Sequence, residues 1–282
     1  MTIAVFTHKR AEDTAAPLRR LIDAAGEAGE EILLSRGEAE KHGIGEDAGV
    51  TVVDDPGAAA TDLALVLGGD GTILATLRLF AGTGVPTFAI NFGAIGFLAT
   101  VEPTDLDEGL RLAFERRFDT MGLPALVAST SEGDEVAMND ISFHRRQNGR
   151  VAELAYSVGG EELGEVRCDG LVVSTPAGST GYNLANGGPV LAWGVEGYVV
   201  SFIAPHTLTA REIVVAPGDV LTVTNRSRGE DVDMTTDGQP VCALPKEGSM
   251  DIRFDPGRAL LAQLPGASFY HRFRDKFGRL AY

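Results

Sequence analysis

The sequence predicts an α/β domain followed by an all-β domain, and three observations carry that prediction. Up to about residue 120, apolar strand-like runs alternate with stretches of helical spacing, the rhythm of a parallel sheet covered by helices. Beyond that point, strand-like runs follow one another with only turns between them. The closing stretch "ASFYHRFRDKFGRLAY" then returns to helical spacing at Phe269, Phe273 and Phe277. The expected organisation is therefore 1–120, 121–262 and a terminal helical segment, 263–282.

Each element has its own signal. "TIAVFT" (2–7) is a first strand, and Leu18, Leu21, Ile22 and Ala25 fall on one helix face. "EEILL" (30–34) and "GVTVV" (49–53) are short strands joined by a polar, glycine-containing connection. "LALVL" (63–67) runs into the turn Gly68-Gly69-Asp70-Gly71-Thr72, and a helix with Ile73, Leu74, Leu77 and Phe80 follows. "VPTFAI" (85–90) is a buried strand, and Asp105 to Phe118 forms a helix with Leu106, Leu110 and Phe114 on one side. The β half is punctuated by Glu132-Gly133-Asp134, Asn148-Gly149 and Gly159-Gly160, all typical turn chemistry. No helix of convincing length is expected between 121 and 265, which points to an antiparallel sandwich or related layers.

Composition narrows the function classes. A formal net charge of −16 argues against nucleic acid, whose affinity rests largely on Lys and Arg. Only Lys9, Lys41, Lys246 and Lys276 are lysines. Cys168 and Cys242 are too few and too distant for a disulfide scaffold or zinc cluster, so a reducing compartment is expected. "MTIAVFTHKR" is no secretory signal, and no run approaches the roughly 20 apolar residues of a membrane helix. A cytoplasmic protein with no membrane partner is the expectation.

Three motifs carry chemistry. "GGDGT" (68–72) joins a strand to a helix, offering free amides and the positive end of a helix dipole to an anion. Its glycines permit positive φ and close approach of a phosphate. It is neither a lysine-bearing phosphate loop nor G-x-G-x-x-G, and with only four lysines in the chain none is an obvious substitute. By itself it also fits a turn with Asp70 as a local cap. "CDGLVVSTPAGSTGYNLANGGPV" (168–190) gathers Ser174, Thr175, Ser179 and Thr180 with five glycines around Tyr182, and suits a loop wrapped on a polar ligand with a ring to stack on a base. "AMNDISFHR" sets Asn139 beside Asp140, an amide and a carboxylate able to hold adjacent ribose hydroxyls, though a solvated strand edge explains the pair as well. Asp237-Gly238 is a strong hairpin turn in its own right, Phe97 in "NFGAIGFL" suits a core, and neither His144 nor His206 has a partner at metal-ligand spacing.

The ordered series "GGDGT", "NFGAIGFL", "MND", "DGLVVSTPAGSTGYNLANGGP", "APHTLTAREIVV" and "DGQ" resembles the NAD kinases over roughly residues 63 to 240. The resemblance implies an α/β domain, a β domain, and a terminal segment packing back on the first. It also implies phosphoryl transfer from ATP, or polyphosphate, to the 2′-hydroxyl of the adenosine ribose of NAD, giving NADP. Asp70 is the implied general base, sharing the work with the glycines Gly68, Gly69 and Gly71, with Thr72, and with a divalent cation, Mg or Mn. Asn139 and Asp140 would hold ribose hydroxyls. Thr180, Gly181, Tyr182, Asn183, Leu184 and Ala185 would line the adenine and nicotinamide sites, with Asp169 on the nicotinamide side. Arg150, Arg167 and Gln239 stand where the family places further contacts, and Phe97 and Asp237 lie within its motifs. No metal ligands are assigned.

The chain departs from the family pattern at Asp140, where Glu is usual, at Gly181, where Ala is usual, and at Ala177 and Ala185, where hydroxyls are usual. A homodimer or homotetramer built on the β domain is expected, because exposed antiparallel edges invite pairing. Two rivals share parts of the pattern: a lipid or sphingoid kinase carrying the glycine turn, and a non-catalytic NAD-sensing protein that keeps the pocket.

Overall fold

The structure is a computed structural model and describes residues 1–45, 49–93, 96–146 and 150–278. By its contacts the chain divides into two units, Met1–Gly122 with the stretch from Ala259 onward, and Leu123–Arg258. The Asn148-Gly149 turn, Ala94-Ile95 within "NFGAIGFL" and residues 279–282 lie outside the described residues.

In the first unit, β1 (Thr2–Thr7), β2 (Glu31–Ser35), β3 (Val50–Val53), β4 (Leu63–Gly68) and β5 (Pro86–Asn91) pair in parallel in the order β3-β2-β1-β4-β5. Every residue of β4 is buried, as expected of a central parallel strand covered on both faces. The helices α1 (Ala11–Ala28), α2 (Arg36–His42), α3 (Asp70–Leu79) and α4 (Leu106–Phe114) supply the cover. Leu18, Leu21 and Ala25 of α1, Leu110 and Ala113 of α4, and Ile3, Leu65, Phe88 and Ile90 of the strands share one core. α1 stops at Gly29, whose φ of 72° provides the left-handed cap a helix end favours.

Two expectations need correction here. The connection after β2 is not irregular: Ser35 accepts a hydrogen bond from the Glu38 amide and starts α2, which has basic Lys41 and His42 in its last turn and Gly43 at a left-handed cap. This two-turn helix is too short and too polar to show periodicity. α4 ends at Phe114 rather than Phe118, because Arg116 takes a positive φ of 52°.

β6 (Asp119–Thr130) crosses into the second unit and forms a hairpin with β7 (Gly133–Ala137). β8 (Asp140–Arg145), β9 (Ala152–Val158), β10 (Glu161–Cys168) and β11 (Gly170–Ser174) follow, then the single-turn α5 (Tyr182–Ala185). β12 (Tyr198–Ile203), β13 (Ile213–Val215), β14 (Leu221–Asn225), β15 (Val232–Thr236), β16 (Gln239–Leu244) and β17 (Ser249–Gln263) complete the unit. The pairings among β7 to β16, and those of β6 with β7 and β14 with β17, are antiparallel. One sheet runs β13-β12-β11-β8-β15-β16, and β10-β9-β14-β17 form the other layer. Phe143, Leu171 and Val200 of the first layer and Leu154, Val223 and Ile252 of the second fill a common core, as in a sandwich.

β17 leads the chain back to the first unit, where Leu260 and Leu261 pair in parallel with Pro86 and Thr87 of β5. α6 (Phe269–Phe277) follows, and its Phe269 and Phe277 rings lie 6.1 and 5.7 Å from the Phe97 ring. The terminal segment thus packs on the first unit.

Replacing the Ser35 cap by Ala removes the hydroxyl acceptor for Glu38, and chemical denaturation should show a loss of about 1 kcal/mol.

Candidate functional site

In a parallel sheet ordered β3-β2-β1-β4-β5, connections wind away in opposite directions from the β1/β4 pair, leaving a crevice at the carboxyl ends of those strands where ligands bind. Here Thr7 leads into His8 and Lys9, and Gly68 leads into Gly69, Asp70 and the start of α3. His8, Lys9, Gly69, Asp70, Gly71, Thr72, Gly93 and Gly96 line a cavity of about 330 Å³ at this point. A lysine therefore does stand at the glycine turn, delivered from β1 and sixty residues away in sequence, contrary to the expectation that none could serve.

The glycines work differently from the expectation. Gly68, Gly69 and Gly71 all lie outside the positive-φ region. Their value is close approach: a side chain on Gly68 would meet Thr72 at 2.8 Å, and one on Gly93 would meet the Gly69 backbone at 2.6 Å. A methyl on Gly96 would overlap the Asp70 carboxylate. Two backbone segments thus touch, and Asp70 is gripped between them. Its two oxygens accept from the amides of Phe97 and Leu98 at 2.9 and 3.2 Å. Gly71 alone faces open space, on the cavity side. Phe97 itself is core: its buried ring stacks on α6, with Lys276 Nζ 4.6 Å from the ring centroid, and only its backbone reaches the site.

A second cavity of about 670 Å³ adjoins the first through Lys9, Gly71 and Thr72, and is walled by Phe6, Ala75 and Leu79 with Lys41 and Arg78 on its rim. Lys41 Nζ donates to the Thr7 and His8 carbonyls and to Glu38, which tethers α2 to the end of β1.

The second unit holds the Asn139-Asp140 pair where β8 begins. The organiser is Asp237, which sequence reasoning treated chiefly as a hairpin residue. It takes a positive φ of 46°, and its carboxylate accepts from the amides of Met138, Asn139 and Asp140 at 3.0, 2.7 and 3.2 Å. Asp140 is buried, and its acid is pushed up to about 7, first by burial and then by the Asp237 charge. Asn139 stays half-exposed.

The 168–190 stretch is not a surface loop over most of its length. Residues 171–179 are buried, and all four hydroxyls thought to wrap a ligand donate internally, Thr180 to the Ala177 carbonyl at 3.2 Å. Thr175 donates to the Met138 carbonyl at 2.7 Å and accepts from the Gly178 amide at 3.0 Å. Ser174 donates to the Asn139 carbonyl, and Ser179 to that of Pro176. Gly178 lies so close to the Asn139 backbone that no side chain fits. Asn183 is likewise buried, its amide donating to the Ser179 and Pro189 carbonyls, so it shapes the loop rather than lining a pocket.

What remains presented is Thr180, Gly181, Tyr182, Leu184 and Ala185. The half-exposed Tyr182 ring stacks on His144, centroids 5.7 Å apart and planes within 12°. His144, whose imidazole is held below its usual range by burial, was set aside because it has no partner at metal-ligand spacing, and its stacking partner is not visible in the linear motif. The Asp169 carboxylate pairs with Arg145 at 2.6 Å, a partner that a linear motif does not show. Arg167 pairs with Glu153, Arg150 donates its amide to Glu230, and Gln239 opens β16 on the surface. Among the described residues, no group of three His, Cys, Asp or Glu side chains could cage a metal ion.

Comparison with known proteins now decides the family. The ATP-NAD kinase N-terminal domain matches residues 33–118, and the ATP-NAD kinase C-terminal domain matches residues 138–263. An NAD kinase of Gemmatimonas aurantiaca is 33% identical over 288 residues, covering 99% of this chain and 96% of that protein. The chain belongs to the NAD kinase family. An NAD kinase of Nitratidesulfovibrio vulgaris is 36% identical over 270 residues, with 91% and 92% of the two chains covered. Among solved structures, an NAD kinase from Archaeoglobus fulgidus in complex with ATP superposes with a TM-score of 0.76 at 26% identity, covering 99% of this chain and 98% of that one. Yeast NADH kinase complexed with NADH shares the fold, with a TM-score of 0.89 at 19% identity over 100% of this chain and 88% of its own. NAD kinases are phosphotransferases, and both sequence blocks that carry the family match coincide with the two sites described above.

The raised Asp140 acid yields a pH signature. The folded state keeps a proton that the unfolded chain has lost above its ordinary 3.8, so stability falls as pH rises from about 4 to about 7. Asp140→Asn should be more stable than the parent at pH 8 by about 2–4 kcal/mol, the difference vanishing towards pH 4, as read by urea denaturation.

Proposed function

We propose that this chain transfers the terminal phosphoryl group of ATP to the 2′-hydroxyl of the adenosine ribose of NAD, forming NADP and ADP. The observation that carries the reading is Asp70. Its carboxylate is held by two backbone amides at the wall of a glycine-lined cavity, in the crevice where this sheet order binds ligands. Asp70 takes the proton of the 2′-hydroxyl, whose oxygen forms the new bond to the terminal phosphorus as the bond to the departing ADP oxygen breaks. Lys9 and the amides at the start of α3 neutralise the phosphates. The divalent cation, Mg or Mn, has no protein cage of its own among the described residues, which suits an ion carried by the donor phosphates. It would screen their charge.

Asn139 and Asp140 hold ribose hydroxyls, the Tyr182 ring backed by His144 offers a face to a base, and Thr180, Gly181, Leu184 and Ala185 form the surrounding wall. The Arg145–Asp169 pair serves the nicotinamide end, with Arg150, Arg167 and Gln239 as peripheral contacts. The larger cavity beside the turn, walled by Phe6, Ala75 and Leu79, has room for the base and ribose of a nucleotide, which favours ATP over polyphosphate as donor. Two free cysteines, Cys168 with its thiol pushed up to about 12 by burial, fit the reducing cytoplasm. The short edge strand β13 with exposed Val214, and the nearby fully exposed Leu208, favour a homodimer or homotetramer.

Purified protein with Mg, NAD and either ATP or polyphosphate tests the reading directly, and absence of NADP with both donors refutes it. Asp70→Asn should lower kcat by roughly 10²–10⁴-fold while KM for NAD stays within a few-fold. An undiminished kcat would remove Asp70 from the role of base. Tyr182→Ala should raise KM for NAD by about 10-fold, corresponding to about 1.4 kcal/mol of lost stacking, with little change in kcat.

A further inference from the structure

Asp70 is held by the amides of Phe97 and Leu98, and the peptide group that joins these two residues is in turn gripped by its carbonyl. Arg272 Nη1 of α6 donates to the Phe97 carbonyl, and its Nη2 donates to Gln263 Oε1 at 2.9 Å. Gln263 Nε2, from the end of β17, lies 3.5 Å from the Leu98 carbonyl, at the outer limit of a hydrogen bond. The Phe97–Leu98 peptide, whose N–H faces Asp70, is therefore tied from behind by Arg272 and the following peptide by Gln263, and the two ties are linked through the Arg272–Gln263 bond. The Phe97 ring adds a third tie, stacked on Phe269 and Phe277 of the same helix. Gln263 is buried, and the partly buried Arg272 guanidinium is pulled down to about 10 by desolvation, opposed by attraction to Asp70 and Glu102.

Several features distinguish this arrangement from a helix packed merely for stability. α6 has no fully buried residue, so its burial is a weak reason for its position. A guanidinium is a costly group to remove from water and is retained where its fixed fork orients other groups. One of its acceptors here is the Phe97 carbonyl, and the N–H of that same peptide group, Leu98 N–H, ends on Asp70 with no intervening side chain. A shift of about 1 Å in such a group can cost 100-fold in rate.

We propose that Arg272 and Gln263 are positioning residues, through which the terminal segment sets the orientation of the Asp70 carboxylate. The terminal helix is thereby part of the phosphoryl-transfer apparatus without touching substrate. This inference rests on the assignment of Asp70 as the base.

The test is Arg272→Met, which keeps the length and removes the fork, compared with Arg272→Lys, Gln263→Leu and the exposed control His271→Ala. Amide hydrogen exchange of the peptide spanning Phe97 and Leu98 reports the brace without reference to activity, and steady-state kinetics reports its consequence. Arg272→Met should accelerate exchange in that peptide by about 10-fold and lower kcat by about 10- to 100-fold, with KM for NAD and ATP within about 2-fold. Arg272→Lys should recover part of both, Gln263→Leu should show the same pattern more weakly, and His271→Ala should match the parent. Unchanged exchange and kcat in Arg272→Met, or a rise in KM alone, overturns the proposal. Should Arg272→Met unfold, the same outcomes are judged on Gln263→Leu. If the parent forms no NADP, the base assignment fails, while the exchange result still decides whether the brace exists.

Discussion

The site depends above all on the adjacency of β1 and β4 in the parallel sheet. Residues from sixty positions apart, His8 and Lys9 on one side and Gly69 to Thr72 on the other, meet there because both strands end at the same edge. Helix α3 begins at that edge with the positive end of its dipole, although the Thr72 and Ile73 amides already donate to the Gly69 carbonyl, and a helix start of this kind is attractive to anions. An aspartate at this position would repel phosphate unless it had another task and another partner. The Phe97 and Leu98 amides supply the partner, and glycines at 69, 93 and 96 provide the clearance that lets the two segments meet.

The second unit solves a related problem with buried polar groups. Strands bring Met138, Asn139 and Asp140 to a sheet end where their amides have no ladder partner, and Asp237 satisfies all three with one carboxylate. Thr175 and Gly178 then lock the next segment against two of these residues, Met138 and Asn139. This order has an electrostatic cost, carried by Asp140, whose charge is disfavoured by its burial and by Asp237. The outward face is left to Tyr182, kept flat against His144.

The second unit uses hydroxyl and amide side chains of its 168–190 stretch mainly to build the loop itself. Ser174, Thr175, Ser179 and Asn183 have a composition that suggests ligand contact, yet their polar atoms turn inward. The loop can then present a short, defined surface at Thr180 to Ala185. Rigid presentation lowers the entropy lost when a nucleotide binds.

The change of rhythm near residue 120, the strand runs, the glycine turn and the Asn139-Asp140 pair were legible because periodicity and composition are local properties. So was the family, through the order of its motifs. α2 was hidden because two turns of polar residues have no periodic signal, and only the Ser35 cap betrays it. Asp237 and His144 were undervalued because a residue's neighbours in space are absent from its neighbours in sequence. The sequence by itself determined which segments are strands and helices, and that an aspartate stands where a strand meets a helix. Only the tertiary structure decided what holds that aspartate and which lysine stands beside it. Hydrogen bonds act over about 3 Å, and the groups that come that close here are separated by 27 to 175 residues along the chain.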